Sequence, residues 1–400
     1  MLKSKNKYTV FGVKIMAKTD EKKRKRNKKS NKHVLDRRST CFILLPWLLL
    51  IPLGLFLPSI VSGNSEWIES VYAKSIYPVI SRILITLTSW INISIAELLS
   101  VVLIIGGTAF LLYLIIKLIL CKIKFVRFLN IMLIIGIIGG AMINIFYINW
   151  GFNYFRKDIS DIMGLEIKER SSEELSELCH YLSDKSKELR TQVNTNDDGV
   201  FYFEGSIYDK SEELAAAFSA LAEDHDCFFA PVGKPKSPFL SELLSYAGIS
   251  GIYIPFTAEA NVNTHQPSLL KLSSSAHEMG HQLGFAHEDD ANFIAFLCGL
   301  YSEDEDIAYS CTMLTLLECS NRLYSCDKDA YSELYSTYSD EMRLDLRDYS
   351  EYWDIYEGEV KQTVQNVNDN YLKHNQQLDG VESYGRMVDN VLAYYIAYIK

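Results

Sequence analysis

No two of the eight cysteines stand in a C-x-x-C spacing; they are Cys41, Cys121, Cys179, Cys227, Cys298, Cys311, Cys319 and Cys326. A zinc site built on paired thiolates is therefore excluded. The six cysteines beyond residue 150 read as buried thiols of a helical core in preference to a disulfide framework. No Gly-rich phosphate loop and no internal repeat is present, which sets aside P-loop nucleotide chemistry and solenoid architectures. Acidic residues are scarce at the start. Residues 1–150 carry 21 Lys+Arg against 6 Asp+Glu, whereas residues 151–400 carry 19 against 44. A basic, apolar third is joined to an acidic remainder.

Charge is absent altogether from three stretches. Cys41 to Ser62, Leu98 to Ile116, and the run after Arg127 through Ile131-Met132-Leu133-Ile134-Ile135 towards Trp150 hold no Asp, Glu, Lys, Arg or His. Each is long enough to cross a bilayer, and the first is too long for a signal-peptide core. Gly106-Gly107, Gly136 and Gly139-Gly140 predict close packing between these helices. Ile83 to Ala96 is shorter and carries polar positions; it reads as an interfacial or re-entrant helix, with a fourth span as the alternative. No ionisable residue lies inside a span, which argues against a transporter.

Residues 1–38 form a basic tail centred on Glu21-Lys22-Lys23-Arg24-Lys25-Arg26-Asn27-Lys28-Lys29. Followed by an apolar run, it reads as a cytoplasmic flank and not as a nucleic-acid signal. Met16-Ala17-Lys18 is a second candidate start. The Lys/Arg bias then orients the chain. Lys117, Lys122, Lys124 and Arg127 place the connection between spans two and three in the cytoplasm. The third span exits, so the C-terminal domain is expected outside the cytoplasm. Tyr147, Trp150, Phe152, Tyr154 and Phe155 form an aromatic belt at that exit.

Beyond the belt the pattern is mostly helical. Ser171 and Glu174 offer a capping box for a helix to about Leu189. Asp209 to Glu223 and a segment from Ser237-Pro238 to Gly248 read as two more helices. Val200 to Phe203 predicts a short strand. Gly251 to Phe256 predicts another, placed at a sheet edge by Pro255. Ala291 to about Tyr395 reads as several helices.

The chemistry concentrates at Ser275-Ala276-His277-Glu278-Met279-Gly280-His281. On a helix, His277 and His281 share a face and can reach one metal ion, while Glu278 projects beside it, able to take a proton from a water there. An H-E-x-x-H arises by chance in roughly one chain per hundred of this size and composition. Ser273 to Ser275 predict the N-cap of that helix, and Gly284 its end. A third ligand follows at Glu288. Asn292, four residues on, supports a ligand from behind, and small Ala291 allows close helix packing. His287, Asp289 and Asp290 are competing ligands. Glu288 is preferred because it alone stands three residues before Ala291. His180, His225, His265 and His374 lack a patterned partner. Glu259 and Asn261 are expected either to line the cleft or to cap a turn.

This pairing resembles two groups of zinc metallopeptidase. The HtpX and CAAX-prenyl-protease group uses H-E-x-x-H and then E-x-x-A-D, and the ImmA/IrrE group uses H-E-x-x-H and then E-x-x-A-N. The resemblance implies that His277, His281 and Glu288 hold Zn2+ and that Glu278 is the catalytic base. Asn292 stands where the HtpX pattern has Asp, orienting a ligand without adding charge. A resemblance covering nearly the whole chain is to a bacterial family of multi-pass membrane proteins of unknown function. It is carried by Trp150-Gly151-Phe152-Asn153-Tyr154, Gly251-x-Tyr253-x-Pro255-Phe256-Thr257-x-Glu259-Ala260-Asn261, the metal motif, Asp379-Gly380-Val381 and Ser383-Tyr384-Gly385-Arg386.

The expected architecture has three parts. Residues 1–38 are a tail and 39–150 a membrane region of three helices. Residues 151–400 are a mainly helical α+β zincin-like domain with a small sheet. The expected function is membrane-anchored, zinc-dependent hydrolysis of peptide bonds in a peptide or protein substrate. Bilayer lipid is the other partner, and no nucleic acid is expected. Tyr253, Tyr384 and Arg386 are candidates for oxyanion or substrate contacts. A non-catalytic envelope sensor or scaffold stapled by zinc is the alternative.

Overall fold

The computed structural model describes residues 42–374 and 384–400, with Lys23 and Thr40 besides. The rest of the basic tail, Cys41, and the 379–381 and Ser383 positions of the C-terminal motif lie outside the described residues. These residues fall into two units, one holding 42–57 with 103–145, the other 58–102 with the chain from 146 onward.

Three helices are long and apolar enough to cross a membrane: Phe42–Val61 (α1), Ile95–Ile119 (α3) and Phe125–Asn149 (α4). In the first unit the expected small-residue packing is present at Gly140. A Cβ there would stand 2.9 Å from the Ile51 nitrogen, so only glycine lets the two backbones meet. Asn144 donates to Leu50 O at 2.7 Å across the same contact. Gly106 and Gly107 face open space and take no part.

The segment Ile83 to Ala96 is not one helix. A π-helical stretch, Ile68–Ile76, leads into Tyr77–Thr88 (α2), and a separate helix begins at Ile95. The break has a cause. Ser94 Oγ accepts from Glu97 N, and the Glu259 carboxylate accepts from Ile95 N and Ala96 N, so the first amides of α3 are capped. Glu259 is thus a cap, though of a helix and not of a turn. Residues 58–102 belong to the same unit as residues 146 onward. The chain between α1 and α3 is folded into the C-terminal domain.

Arg156 fastens that segment. Its Nε and Nη2 donate to the Glu69 carboxylate at 2.8 and 3.1 Å, and its Nη1 donates to Gly284 O at 2.9 Å. The guanidinium lies 4.2 Å from the centre of the Phe285 ring. From α2, Tyr77 donates to Gln282 O at 2.7 Å.

Besides the short turns Ser65–Trp67 and Ile159–Met163, the α-helices that follow are Ser172–Arg190 (α5), Ser211–Asp224 (α6), Ser241–Tyr246 (α7), Ser268–Gln282 (α8), Glu288–Tyr301 (α9), Glu305–Cys326 (α10), Lys328–Ser336 (α11), Asp340–Ile355 (α12), Glu359–His374 (α13) and Tyr384–Tyr394 (α14). The capping box at Ser171 and Glu174 is formed. The helix expected from Ser237-Pro238 starts only at Ser241. Phe239 N and Leu240 N instead donate to the Glu97 carboxylate, which holds that stretch as a turn. Val200 to Phe203 forms a single bridge, Thr195 to Phe201, and no strand. Strands Gly251–Ile254 (β1) and Glu259–Val262 (β2) pair antiparallel, and Pro255 lies just past β1. α8 packs against both strands and against α9 and α10, and α10 packs against α5. Cys179, Cys227, Cys298, Cys311 and Cys319 are buried free thiols, as expected, whereas Cys326, at the last turn of α10, is exposed.

Candidate metal centre

α8 starts at Ser268, earlier than expected, with Pro267 before it. Ser273 to Ser275 lie inside the helix, where Ser275 Oγ bonds back to Lys271 O at 2.7 Å. The helix buries Leu269, Leu272, Ala276 and Met279, which fixes its rotation and turns His277, Glu278 and His281 towards β1 and α9. Gly284, at φ +84°, ends it as expected. Gly280 lets α9 approach: a Cβ there would stand 3.5 Å from the Ala291 Cα.

His277, His281 and Glu288 come together, their ligand atoms all within 4.8 Å of one another. His277 Nε2 lies 3.2 Å from Glu288 Oε2, and His281 Nε2 lies 3.9 Å from Glu288 Oε1. A tetrahedral zinc site separates its ligands by roughly 3.3 Å. Both rings are held from behind. His281 Nδ1 donates to Phe285 O at 2.7 Å, and His277 Nδ1 faces Asn292 Oδ1 at 2.7 Å. A carbonyl oxygen only accepts, so the proton of each ring sits on Nδ1 and Nε2 is left to bind a cation. Asn292, four residues after Glu288, thus faces the His277 ring.

Glu278 stands apart from the three. It is buried; its Oε2 has no hydrogen-bond partner, and the backbone of Tyr253 donates to the carboxylate. Burial pushes its pKa up to about 8; the charge of Glu288 adds to this, and His277 opposes it. A Cβ on Gly251 would stand 2.5 Å from Glu278 Oε1, so β1 can lie this close only with glycine there.

The neighbouring charges follow the same geometry. Burial alone would push the Glu288 carboxyl up. The hydrogen bond from His277 and the charges of His281 and His277 overcome it and hold the group near 2. For His277, burial pulls down, but the bond to Glu288 and the charges of Glu278 and Glu288 raise it to about 9. With no cation, a proton on His277 Nε2 is thus shared with Glu288. A divalent ion held by these three residues would displace that proton. His281 is held near 4 by its burial.

The competing ligands are occupied elsewhere. His287 Nε2 meets Tyr154 O at 3.0 Å. Asp289 accepts from Arg386 Nε at 3.0 Å. Asp290 is buried against Asp289 and Asp158, and its carboxyl is raised by that burial and by their charges. Arg386 thus ties α14 to the start of α9 and was expected at the oxyanion. Tyr253 contributes its backbone; its ring is buried, with the hydroxyl 3.5 Å from that of Tyr77. The side chain of Tyr384 lies outside the described residues. His265 bonds Tyr356 Oη at 2.7 Å, and His225 packs among Tyr301, Tyr394 and Tyr398, both away from the cluster.

The sequence places Trp150 in an aromatic belt and in a motif of the resemblance, with no role at the metal motif. Its Nε1 donates to His281 O at 3.2 Å, and its ring centre is 6.1 Å from that of His281. Arg156 likewise has no spacing to the motif that would reveal its hold on Gly284 and Phe285. The signal that was available for both strand and tryptophan is the pair of motifs around Trp150 and Gly251.

A family profile described as "Protein of unknown function (DUF3810)" matches residues 72–392. Neither a curated protein nor a solved structure matches the chain.

Proposed function

The chain belongs to the DUF3810 family, and from the geometry of its cluster we propose that it is a membrane-anchored zinc metallopeptidase with a zincin-like domain. The observation that carries the reading is the convergence of two imidazole Nε2 atoms, each ring pinned through Nδ1, on one carboxylate, beside a buried glutamate with an unpartnered oxygen. Two nitrogens and one oxygen suit zinc, and three protein ligands leave a position for water. The likeness to the HtpX and ImmA/IrrE metallopeptidases supports the same ligand set.

His277, His281 and Glu288 would hold the ion. Bound there, zinc supplies Lewis acidity to the attacking water and to the scissile carbonyl. Glu278 takes one proton of that water while the oxygen bonds to the carbonyl carbon. It then delivers the proton to the amide nitrogen as the C–N bond breaks. Burial suits it to this exchange near neutral pH. Ser250 O accepts from Asn263 N, so with this register Ile252 and Ile254 bond to β2 while Gly251 and Tyr253 turn their backbone groups the other way. The Tyr253 N–H on that edge is held by Glu278, and an extended substrate would add along it through the remaining backbone groups of Gly251 and Tyr253.

Metal analysis tests the reading. Purified full-length protein is expected to hold about one zinc per chain. His277→Ala, His281→Ala and Glu288→Ala should lose it, and His287→Ala should keep it. Loss in the His287 variant with retention in the Glu288 variant would move the third ligand. A protein that takes up no zinc at all would sink the proposal.

Topology is proposed on two grounds. Residues 58–102 and those after 145 share one unit, so both lie on one side of the bilayer, with α3 and α4 crossing between them. The basic connection at Lys117 to Arg127 marks the opposite side as cytoplasmic. A reporter active only outside the cytoplasm should therefore work after Lys400 and be silent after Lys122. The reverse pattern would put the site in the cytoplasm.

A further inference from the structure

α2 is turned inside out for a helix in water. Its face towards the domain carries Tyr77, Ser81, Ile85 and Thr88, all buried. Its outward face carries Ile76, Val79, Ile83, Leu87 and Trp90, spaced three and four apart and all exposed, Trp90 by 76%. A second exposed apolar group, Phe239, Leu240 and Leu243, adjoins the start of α3. Ile93 bridges to Ser237, and the Glu97 carboxylate accepts from Phe239 N and Leu240 N. Phe239 is 78% exposed. Contiguous apolar surface of this kind on a folded domain marks a contact with something apolar.

The tethers identify the occupant. α2 is joined through residues 62–76 to α1 on one side and through residues 89–94 to α3 on the other, both long and apolar enough to span. Asn149, the last residue of α4, donates to Pro255 O at the tip of the hairpin. Glu259 in β2 caps α3. Trp67, Trp90 and Tyr246 are exposed, with Lys74 and Arg82 beside them. Amphipathic rings and cations of this sort gather at the headgroup level of a bilayer.

We infer that the outward face of α2 and the Phe239–Leu243 stretch are seated in the lipid–water boundary, so that the bilayer itself is the partner of this surface. The hairpin then stands on the membrane ends of α3 and α4. The strand from Gly251 to Pro255 covers about 13 Å at an ordinary strand rise. Glu278, against Gly251, lies that far along the strand from the anchor, and His281 touches Trp150, the residue after α4. The centre works at the depth of the headgroups. A polypeptide reaching the free edge of β1 arrives along the membrane surface. The lipid contact itself does not depend on the metal reading.

The test uses the full chain in lipid nanodiscs, with phosphatidylcholine brominated or not in its acyl chains. An environment-sensitive fluorescent residue is placed in turn at Leu87, Phe239 and Leu243, and at the exposed Glu213 of α6 as the reference. Each variant must melt as the parent does; Val79 replaces any position that does not. Brominated lipid should quench the three face positions by about half and Glu213 hardly at all, as an interfacial helix buried a few ångström deep requires. Quenching at the face no greater than at Glu213 overturns the inference. So does protection of the face accompanied by a doubled particle mass, which would give the surface to a second copy of the chain.

Discussion

Glu278→Gln should leave the zinc content at the parent level and slow hydrolysis by about a hundredfold or more, the usual scale for a lost general base. The glutamine keeps the size of the side chain and its bond with the Tyr253 backbone. It cannot take a proton from water. Because Glu278 is not one of the three clustered ligands, the ion has no reason to leave. The melting temperature should stay the same or rise slightly, since a buried carboxyl without a full set of partners is replaced by a neutral group. Zinc by elemental analysis, thermal melting and turnover of a peptide library measure the three parts separately. A variant that turns over a confirmed substrate at the parent rate would refute the mechanism. A zinc-loaded parent that cleaves nothing, with the variant still supporting the cellular phenotype, would favour the sensor reading, in which the ion only staples the fold.

Arg156→Met is the second large effect. It leaves the Glu69 carboxylate buried at 6% exposure without its guanidinium. It also frees Gly284 O and strips the Phe285 ring of its cation. Breaking a buried ion pair from one side costs about 3–5 kcal/mol. For a domain of this size that lowers the melting temperature by roughly 10 °C. The loss should also reach the metal, because Phe285 O holds His281 Nδ1. Removing both charges, as Arg156→Met with Glu69→Leu, should recover part of the stability. An Arg156→Met protein melting within a degree of the parent would show that the clamp carries no weight.

The centre was readable from the sequence because it is local. His277, Glu278 and His281 lie within one helical turn of each other, and Glu288 and Asn292 within another. Helical spacing converts such offsets directly into shared faces. The Gly284 stop was readable for the same reason. What was not readable is held by contacts without a period. Tyr77 reaches a carbonyl two hundred residues away, and Arg156 joins Glu69 to Gly284. Neither leaves a mark on hydropathy. The interfacial helix was placed at Ile83 to Ala96, whereas α2 is Tyr77–Thr88 and the Ser94 and Glu259 caps start α3 at Ile95. Composition reports that a segment is apolar but not which side of it meets the protein. The serines at 273–275 misled through their side-chain chemistry: the same hydroxyl that caps a helix also bonds back to a carbonyl within one. Glu259 reads equally as a cleft residue or a turn cap until its bonds to Ile95 N and Ala96 N at the start of α3 are seen.

The interruption of the C-terminal domain by two membrane helices has a consequence for how the protein is made. Its first piece, residues 58–102, leaves the ribosome well before its last, and on the proposed topology the chain must re-enter and leave the bilayer in between. Tyr77 and Glu69 wait for partners at Gln282 and Arg156 that do not yet exist. The hydrophobic pieces of a half-made chain are therefore in lipid, while the ligands are still unsynthesised. The two halves close on each other only after α4 has been inserted, at a loop-closure cost reduced by the confinement of both ends to one membrane surface. On that topology, assembly of the His277, His281 and Glu288 cluster is coupled to completed insertion: a molecule with a misplaced span would keep residues 58–102 from the rest of their unit.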